Sequence, residues 1–236
     1  MFLLSPAAIL IAAAVVPAVW LLVRIYRADR LEPEPPGLIL SLVLLGVFAT
    51  GLALLGEELG STLLGVLFPE GGLLCSLLYY FLVVALCEEG AKYLLLRYKT
   101  WNSPHFNCRF DGVVYAVSVA LGFALWENIS YVLQYGLDTA AIRAVTAVPG
   151  HACVGVFMGV WYGAARRDAL AGDPVRARSD RTRALIVPLL LHGCYDFIAT
   201  QTTAVSTLWF IAFVVILFLF SLRAVRRASE EDQYLY

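Results

Sequence analysis

Residues 73–92 read LLCSLLYYFLVVALCEEGAK, an apolar stretch that ends in two adjacent glutamates, Glu88 and Glu89, with Lys92 one helical turn beyond Glu88. The stretch is long enough and apolar enough to lie in lipid. Each ionisable group at the centre of a membrane helix costs about 2.5–3.5 kcal/mol on insertion scales. Three such groups together indicate a functional site, because adjacent like charges in lipid have no evident structural use.

The composition of the whole chain indicates an all-α polytopic membrane protein. Of its 236 residues, 61% are hydrophobic and 15% are charged, and the mean hydropathy is +0.78. A soluble domain has about 45–50% apolar and about 25% charged residues. The five cysteines form no CxxC pair and are interpreted as small buried apolar residues. We expect the lipid bilayer as a partner and no nucleic acid.

Seven runs of about 20 apolar residues predict seven transmembrane helices. They cover roughly residues 2–23, 38–56, 73–96, 111–135, 142–165, 184–200 and 205–222. We expect one membrane-embedded domain over residues 1–236, with a motif-bearing core at 73–200 and a disordered tail at 228–236. Residues 57–72 are expected to extend the second span or lie along the interface, and residues 166–183 to form a solvated connector.

The placement of the basic residues predicts the orientation. With seven spans, all lysines and arginines except Lys92 and Arg143 fall on one side of the membrane. The positive-inside rule makes that side cytoplasmic. We therefore expect the N-terminus outside, the C-terminus in the cytoplasm, and the first span to be an uncleaved anchor, because its arginines follow it.

Four of the predicted spans carry polar groups at membrane depth. With a rise of about 1.5 Å per residue, these groups lie roughly 12–24 Å from the cytoplasmic face, and we expect them to meet in one zone. Besides the group at the end of the third span, they are Glu127 and Asn128 in the fourth, His151 in the fifth, and His192 and Asp196 in the sixth.

Helical spacing indicates which of these groups share a face. Glu88 and Lys92 are four residues apart, so Lys92 is interpreted as a counter-ion for the glutamates. The same spacing makes Asp196 a supporting residue for His192. Small residues also recur every fourth position in the fourth and fifth spans, a pattern typical of closely packed membrane helices. These two spans are therefore expected to pack tightly near Glu127 and His151.

Carboxylates beside histidines in a partly dry cavity suit hydrolysis, by either of two routes. In the first, His151, His192 and Glu127 hold one divalent metal, with zinc favoured, and Glu88 or Glu89 is the base. In the second, no cofactor binds; the glutamates activate water directly, and His192 helps to stabilise the oxyanion. Spacing does not choose between the routes, because the candidate ligands come from different helices.

Four motifs, in this order, resemble those of the PrsW family of intramembrane proteases. They are EExxK at Glu88–Lys92, FxxxEN at Phe123–Asn128, a His-Ala-x-x-Gly helix at His151, and HxxxD at His192–Asp196. That family belongs to a larger membrane group with the CAAX prenyl endopeptidases and bacteriocin-processing relatives. CAAX-type relatives usually carry EExxxR and a histidine in the second motif, so Lys92 and Glu127 favour the PrsW branch.

The resemblance implies a protease of the bacterial cytoplasmic membrane. Its expected reaction is the first-site cleavage of a single-span, membrane-anchored substrate of the anti-sigma factor type. The catalytic candidates are Glu88, Glu89, Glu127 and His192, supported by Lys92, Asn128 and Asp196. Whether the enzyme is of metallo- or glutamic type, and which of the two glutamates is the base, stays open at this point.

Two other functions are compatible with the same residues. A CAAX-type endopeptidase would cleave prenylated proteins with a similar set of groups. A proton or ion transporter would use acidic and histidine side chains as a relay. The sequence has no inverted repeat and no pair of broken helices, the features typical of transporters, which disfavours the second alternative.

Overall fold

The computed structural model describes residues 6–235 and consists of helices joined by short connections. Residues 2–5, where the first span was predicted to begin, lie outside the described residues. The helices are α1 (Pro6–Tyr26), α2 (Pro36–Leu67), α3 (Leu73–Thr100), α4 (Asp111–Tyr135), α5 (Leu137–Val145), α6 (Ala147–Leu170), α7 (Pro174–Ala199) and α8 (Ala204–Glu230).

Within residues 6–235, seven helical segments are long and apolar enough to cross a membrane, which confirms the predicted number of spans. The short helix α5 and the helix α6 together make one of them, Leu137–Leu170. Many large apolar side chains face outwards, among them Leu55, Leu59 and Leu208. Lipid is the environment in which such a surface is stable. The predicted orientation of the termini remains a prediction.

The most buried of these helices is α4, which lies between α2 and α6 and packs extensively against both. A Cβ atom placed on Gly159 of α6 would collide with the backbone of Val113 and come within 2.5 Å of the Gly112 carbonyl oxygen. One on Gly155 would lie 2.8 Å from the Cβ of Ala120. The predicted tight packing of the fourth and fifth spans through their small residues is thereby confirmed.

A π-helical segment, Tyr79–Ala85, interrupts α3 directly before the two glutamates. A π-helix bonds i to i+5 and has more residues per turn than an α-helix, so the residues that follow it are rotated about the helix axis. Phe81 from this segment lies against Gly193 of α7, where a Cβ would come within 2.5 Å of the Phe81 Cδ1. The α-helix that resumes at Leu86 then buries both Glu88 and Glu89.

Several helices run past their apolar spans. Helix α2 continues to Leu67, so residues 57–67 extend the second span, one of the two predicted alternatives. The segment 166–183, expected as a solvated connector, is mostly exposed but is largely helical and not a loop, because α6 ends at Leu170 and α7 begins at Pro174 with Asp173 as its N-cap. Charged side chains that end an apolar run remain helical when they can pair locally, as Arg183 does with Asp180.

The C-terminal segment, expected to be disordered, makes defined contacts up to residue 235. Ser229 donates to the carbonyl oxygen of Ala28 (2.5 Å). Asp232 Oδ1 accepts from the backbone of Phe110 (2.8 Å), and the backbone of Leu235 donates to that of Asn107 (2.8 Å). These contacts, which no sequence period reveals, tie the C-terminal segment to the end of α1 and to the start of α4.

We predict that Gly159→Ala destabilises the protein by about 1–3 kcal/mol, because the added methyl group forces two backbones apart. The measurement is thermal unfolding of the detergent-solubilised protein. Gly51→Ala is the matched control: it is also helical, with nothing within 4 Å of its Cβ position, and alanine gains up to about 1 kcal/mol of helix propensity there. Equal melting temperatures for the two variants would contradict the close packing of α4 and α6.

Candidate active site

The polar groups at membrane depth lie on the wall of one cavity of about 470 Å³. Glu88, Glu127, His151, His192 and Asp196 all line it. The other lining side chains come from one end of the bundle and include Thr50, Leu54, Glu57, Tyr79, Tyr131, Arg143 and Thr200. The cavity is therefore walled by α2, α3, α4, α6 and α7, with Arg143 from α5, and every predicted site group except Glu89, Lys92 and Asn128 lines it.

Lys92 is the centre of the cluster behind this cavity. Its Nζ lies 3.0 Å from Glu88 Oε2 and 2.7 Å from Glu89 Oε1, in a side chain that is 1% exposed. The same atom lies 3.3 Å from His151 Nδ1 and 3.8 Å from the centre of the Phe123 ring. These contacts agree with its predicted role as a counter-ion. They also add a contact with His151 that spacing along one helix does not reveal.

The His151 ring is held between Lys92 and Glu127. Glu127 Oε2 lies 2.8 Å from His151 Nε2. An ammonium group only donates, so Nδ1 must accept from Lys92 while Nε2 carries the proton and donates to Glu127. Glu127 therefore fixes the tautomer and the ring orientation of His151, and His151 Nδ1 faces the two glutamates of α3.

The His192 ring has a similar arrangement. Its Nδ1 lies 2.7 Å from Glu89 Oε1, and its Nε2 lies 3.3 Å from Asp196 Oδ2 and 3.8 Å from Glu88 Oε2. The rings of His151 and His192 meet edge to face, with their centroids 5.4 Å apart. Each histidine thus has a charged group of α3 near one nitrogen, Lys92 for His151 and Glu89 for His192, and an acidic residue of another helix, Glu127 or Asp196, near the other nitrogen.

Arg143 belongs to the site, a role that was not predicted from the sequence. Its Nη2 lies 3.0 Å from Glu127 Oε2, and its Nε donates to Asn128 Oδ1 (3.0 Å). Asn128 in turn donates to the carbonyl oxygen of Ala14 in α1 (2.9 Å). The available signal was its position as the single arginine on the predicted outer side, an exception to the charge pattern of the chain.

The two glutamates differ in what they face. Glu88 lines the cavity and is 7% exposed, whereas Glu89 is 1% exposed and does not line it. Glu89 Oε1 contacts both Lys92 and His192, while Glu89 Oε2 is buried with no hydrogen-bond partner. The adjacent carboxylates therefore occupy different environments, one at the cavity wall and one behind it.

Four groups lie close enough to share a metal ion: Glu88, Glu89, His151 and His192 each offer one ligand atom, all within 4.8 Å of one another. This set differs from the expected ligands by including both glutamates and omitting Glu127. Two imidazoles and carboxylate oxygens are a donor set that zinc accepts. Glu89 Oε2 has no hydrogen-bond partner among the described residues and is available as a ligand. Each histidine also has an acidic partner, as metal-binding histidines commonly do. Lys92 contacts three of these four groups, Glu88, Glu89 and His151. The negative charge of the two glutamates would therefore be balanced by a metal ion and by Lys92 together.

Comparison with known proteins identifies the family. Residues 34–223 match the family model described as PrsW family intramembrane metalloprotease. The chain is 36% identical to Protease PrsW of Bacillus subtilis over 225 residues, covering 93% of this chain and 95% of the relative. It is 32% identical to Protease PrsW of Oceanobacillus iheyensis over 227 residues, covering 94% and 96%. No solved structure matches the chain.

These matches confirm the resemblance carried by the four motifs, and with it a peptidase in a multi-pass membrane protein of the bacterial cytoplasmic membrane. The family model spans α2 to α7 and most of α8, so it includes every helix that lines the cavity. The chain belongs to the PrsW family of intramembrane proteases.

Proposed function

We propose that this protein is an endopeptidase that cleaves a peptide bond of a single-span, membrane-anchored protein. The enzyme itself is proposed to be one membrane-embedded domain. The observation that carries the proposal is the buried group Glu88, Glu89, His151 and His192 at the wall of a cavity. The cavity admits water and a short extended peptide, and the lipid around it suits a substrate anchored in the same bilayer. An anti-sigma factor is the substrate class that the resemblance favours.

Glu88 is the proposed general base. It lines the cavity and can reach a water molecule there, and Lys92 holds its charge in place. General base catalysis of this kind contributes about 10²–10⁴-fold to a rate. After attack on the carbonyl, the same carboxyl group can return the proton to the leaving amine. Glu89, behind the wall and in contact with His192, serves instead to hold and orient.

One divalent metal, with zinc favoured, is proposed for the site, and His151, His192 and Glu89 would hold it. When bound, it would supply a water molecule of lowered pKa and a polarised carbonyl. Glu127 and Asp196 then act as orienting partners of the two histidines, a role that acidic residues have around many metal-binding histidines. Glu127 is thus assigned to positioning and not to metal ligation.

We predict that Glu88→Gln and Glu89→Gln both reduce cleavage of a single-span reporter in proteoliposomes by at least about 10²-fold. The two variants should differ in metal content: Glu88→Gln keeps the metal and Glu89→Gln loses it. Glu58→Gln, an exposed glutamate of α2, is the control and should cleave normally. Undiminished cleavage by both site variants would rule out the proposed function.

The purified protein is predicted to hold about one metal ion per chain. His151→Ala and His192→Ala each remove one ligand, so both should lose that metal together with activity. The exposed His105→Ala, outside the cavity, should retain both. Metal analysis by mass spectrometry gives the result, and full activity in metal-free protein would favour the glutamic route instead.

Replacing Arg143 tests the positioning of His151. Arg143→Gln removes the charge that holds Glu127, and we predict a loss of about 10–100-fold in kcat or metal affinity, the range typical of outer-shell partners. Arg143→Lys, which keeps the charge, should recover part of it. Arg178→Gln is an exposed control. A purely structural role would lower the melting temperature of Arg143→Gln without changing kcat of the folded fraction.

A further inference from the structure

A second group of buried acids lies at the other end of α4. Asp111 is the first residue of that helix and Glu127 is sixteen residues later, so the two are about 24 Å apart along the axis. Asp29 follows α1 and Glu34 precedes α2. Asp29, Glu34 and Asp111 each offer one carboxylate oxygen, and these three atoms lie within 4.8 Å of one another. The group is separate from the active site.

Burial is nearly complete for all three acids. Asp29 is 8% exposed, Glu34 3% and Asp111 0%. Within the described residues, Glu34 Oε2 and Asp111 Oδ1 have no hydrogen-bond partner. The carboxylate of Asp29 has only the backbone of Leu31 and Glu32 nearby, and neither makes a hydrogen bond of good geometry with it. Burying a carboxylate without a good partner is costly, because water that solvated the charge is not replaced. Three buried acids with so few hydrogen bonds at one place therefore require an explanation.

The rest of the local structure holds these oxygens in place. Asp111 Oδ2 accepts from the backbone of Asn107 (2.9 Å) and of Cys108 (2.7 Å), which fixes the carboxylate and leaves Oδ1 free. The hydroxyl group of Tyr26 donates to the carbonyl oxygen of Glu34 (2.9 Å). Rigid anchoring of this kind prevents the carboxylates from turning outwards to water.

No cationic side chain of the described part of the chain neutralises the group. Among residues 6–235, none of the three acids lies within ion-pair distance of a lysine, arginine or histidine. Asp232 adds a fourth carboxylate nearby, since its negative charge acts on Asp29. The missing component is positive charge, and the available donors are all oxygen atoms. Oxygen-only donor sets select hard cations such as Mg²⁺ and Ca²⁺ over zinc.

We propose that Asp29, Glu34 and Asp111 bind one hard divalent cation of the Mg²⁺ or Ca²⁺ class. The ion ties the connection between α1 and α2 to the start of α4. The role of this ion is independent of the proposed peptidase chemistry. The ion fixes the N-terminal end of α4, the helix that carries Glu127 sixteen residues later. The remaining coordination positions belong to water, as is usual for Mg²⁺ in proteins.

Protons are the competing means of neutralisation. Burial and the charge of Asp232 raise the pKa of Asp29 to about 6, and burial raises the pKa of Glu34 to about 7. An acid with a raised pKa in the folded protein stabilises it at low pH, and this contribution is lost as pH rises through the folded value. A bound cation would prevent this loss of stability. Neutralisation by protons and neutralisation by a cation therefore differ above pH 7, where only the second lets added metal stabilise the protein.

The test is a titration of the full-length detergent-solubilised protein with Mn²⁺ at pH 7.5, followed by the paramagnetic resonance of free Mn²⁺. The His192→Ala variant serves as the background, because it removes a ligand of the active site. We expect one Mn²⁺ per chain, displaced by Mg²⁺ or Ca²⁺ but not by Na⁺. Both divalent ions should also raise the melting temperature.

In the same background, Glu34→Gln and Asp29→Asn should each weaken Mn²⁺ binding by at least about tenfold, the loss seen even for outer-shell partners. Glu70→Gln is the matched control: it is exposed, lies beyond the far end of α2, and should bind within about twofold of the background. Failure of the background protein to bind Mn²⁺ at millimolar concentration would overturn the proposal, and so would unchanged binding in Glu34→Gln. A melting temperature that falls between pH 5 and 7 and does not respond to Mg²⁺ would also overturn the proposal, because it would show that protons, and not a cation, neutralise the three acids.

Discussion

The active site depends on one buried ammonium group. Lys92 contacts both glutamates of α3 and the Nδ1 of His151, and it lies over the ring of Phe123. Without this cation, two adjacent carboxylates in an apolar helix would repel each other at a high cost in desolvation. With it, both carboxylates lie beside one positive charge, Glu88 at the cavity wall and Glu89 behind it. The position of Lys92 is therefore compatible with the different roles proposed for Glu88 and Glu89.

Much of the site could be read from residue type and helical spacing. The four-residue intervals predicted that Lys92 faces Glu88 and that Asp196 faces His192, and both pairs are in contact. Such pairs are predictable because the geometry of a helix fixes which side chains are neighbours. The contacts between helices had weaker signals. The approach of Lys92 to His151, fifty-nine residues later in the chain, depends on packing that no single helix encodes.

Three features were missed for distinct physical reasons. The π-helical segment Tyr79–Ala85 has an ordinary apolar sequence, and its close contact with α7, where Phe81 meets Gly193, joins residues far apart in the chain. Helices α6 and α7 extend through charged residues, where hydropathy ends but local ion pairs continue the helix. The acids Asp29 and Glu34 appeared as ordinary loop residues, and only the fold shows that they are buried beside Asp111.

The close approach of α4 and α6 has a consequence for how a substrate reaches the cavity. Where Gly159 meets the backbone of Val113, there are no side chains that could change rotamer and open a gap. Two helices in such contact behave as one rigid plate, carrying Glu127 and His151 together. Lateral entry from the bilayer must then occur where larger, movable side chains separate the helices. Tyr79 and Tyr80, which line the cavity from α3, are of that kind. The cavity thus has one wall, formed by α4 and α6, that is closed where these helices touch, and another, at α3, lined by side chains that can change rotamer.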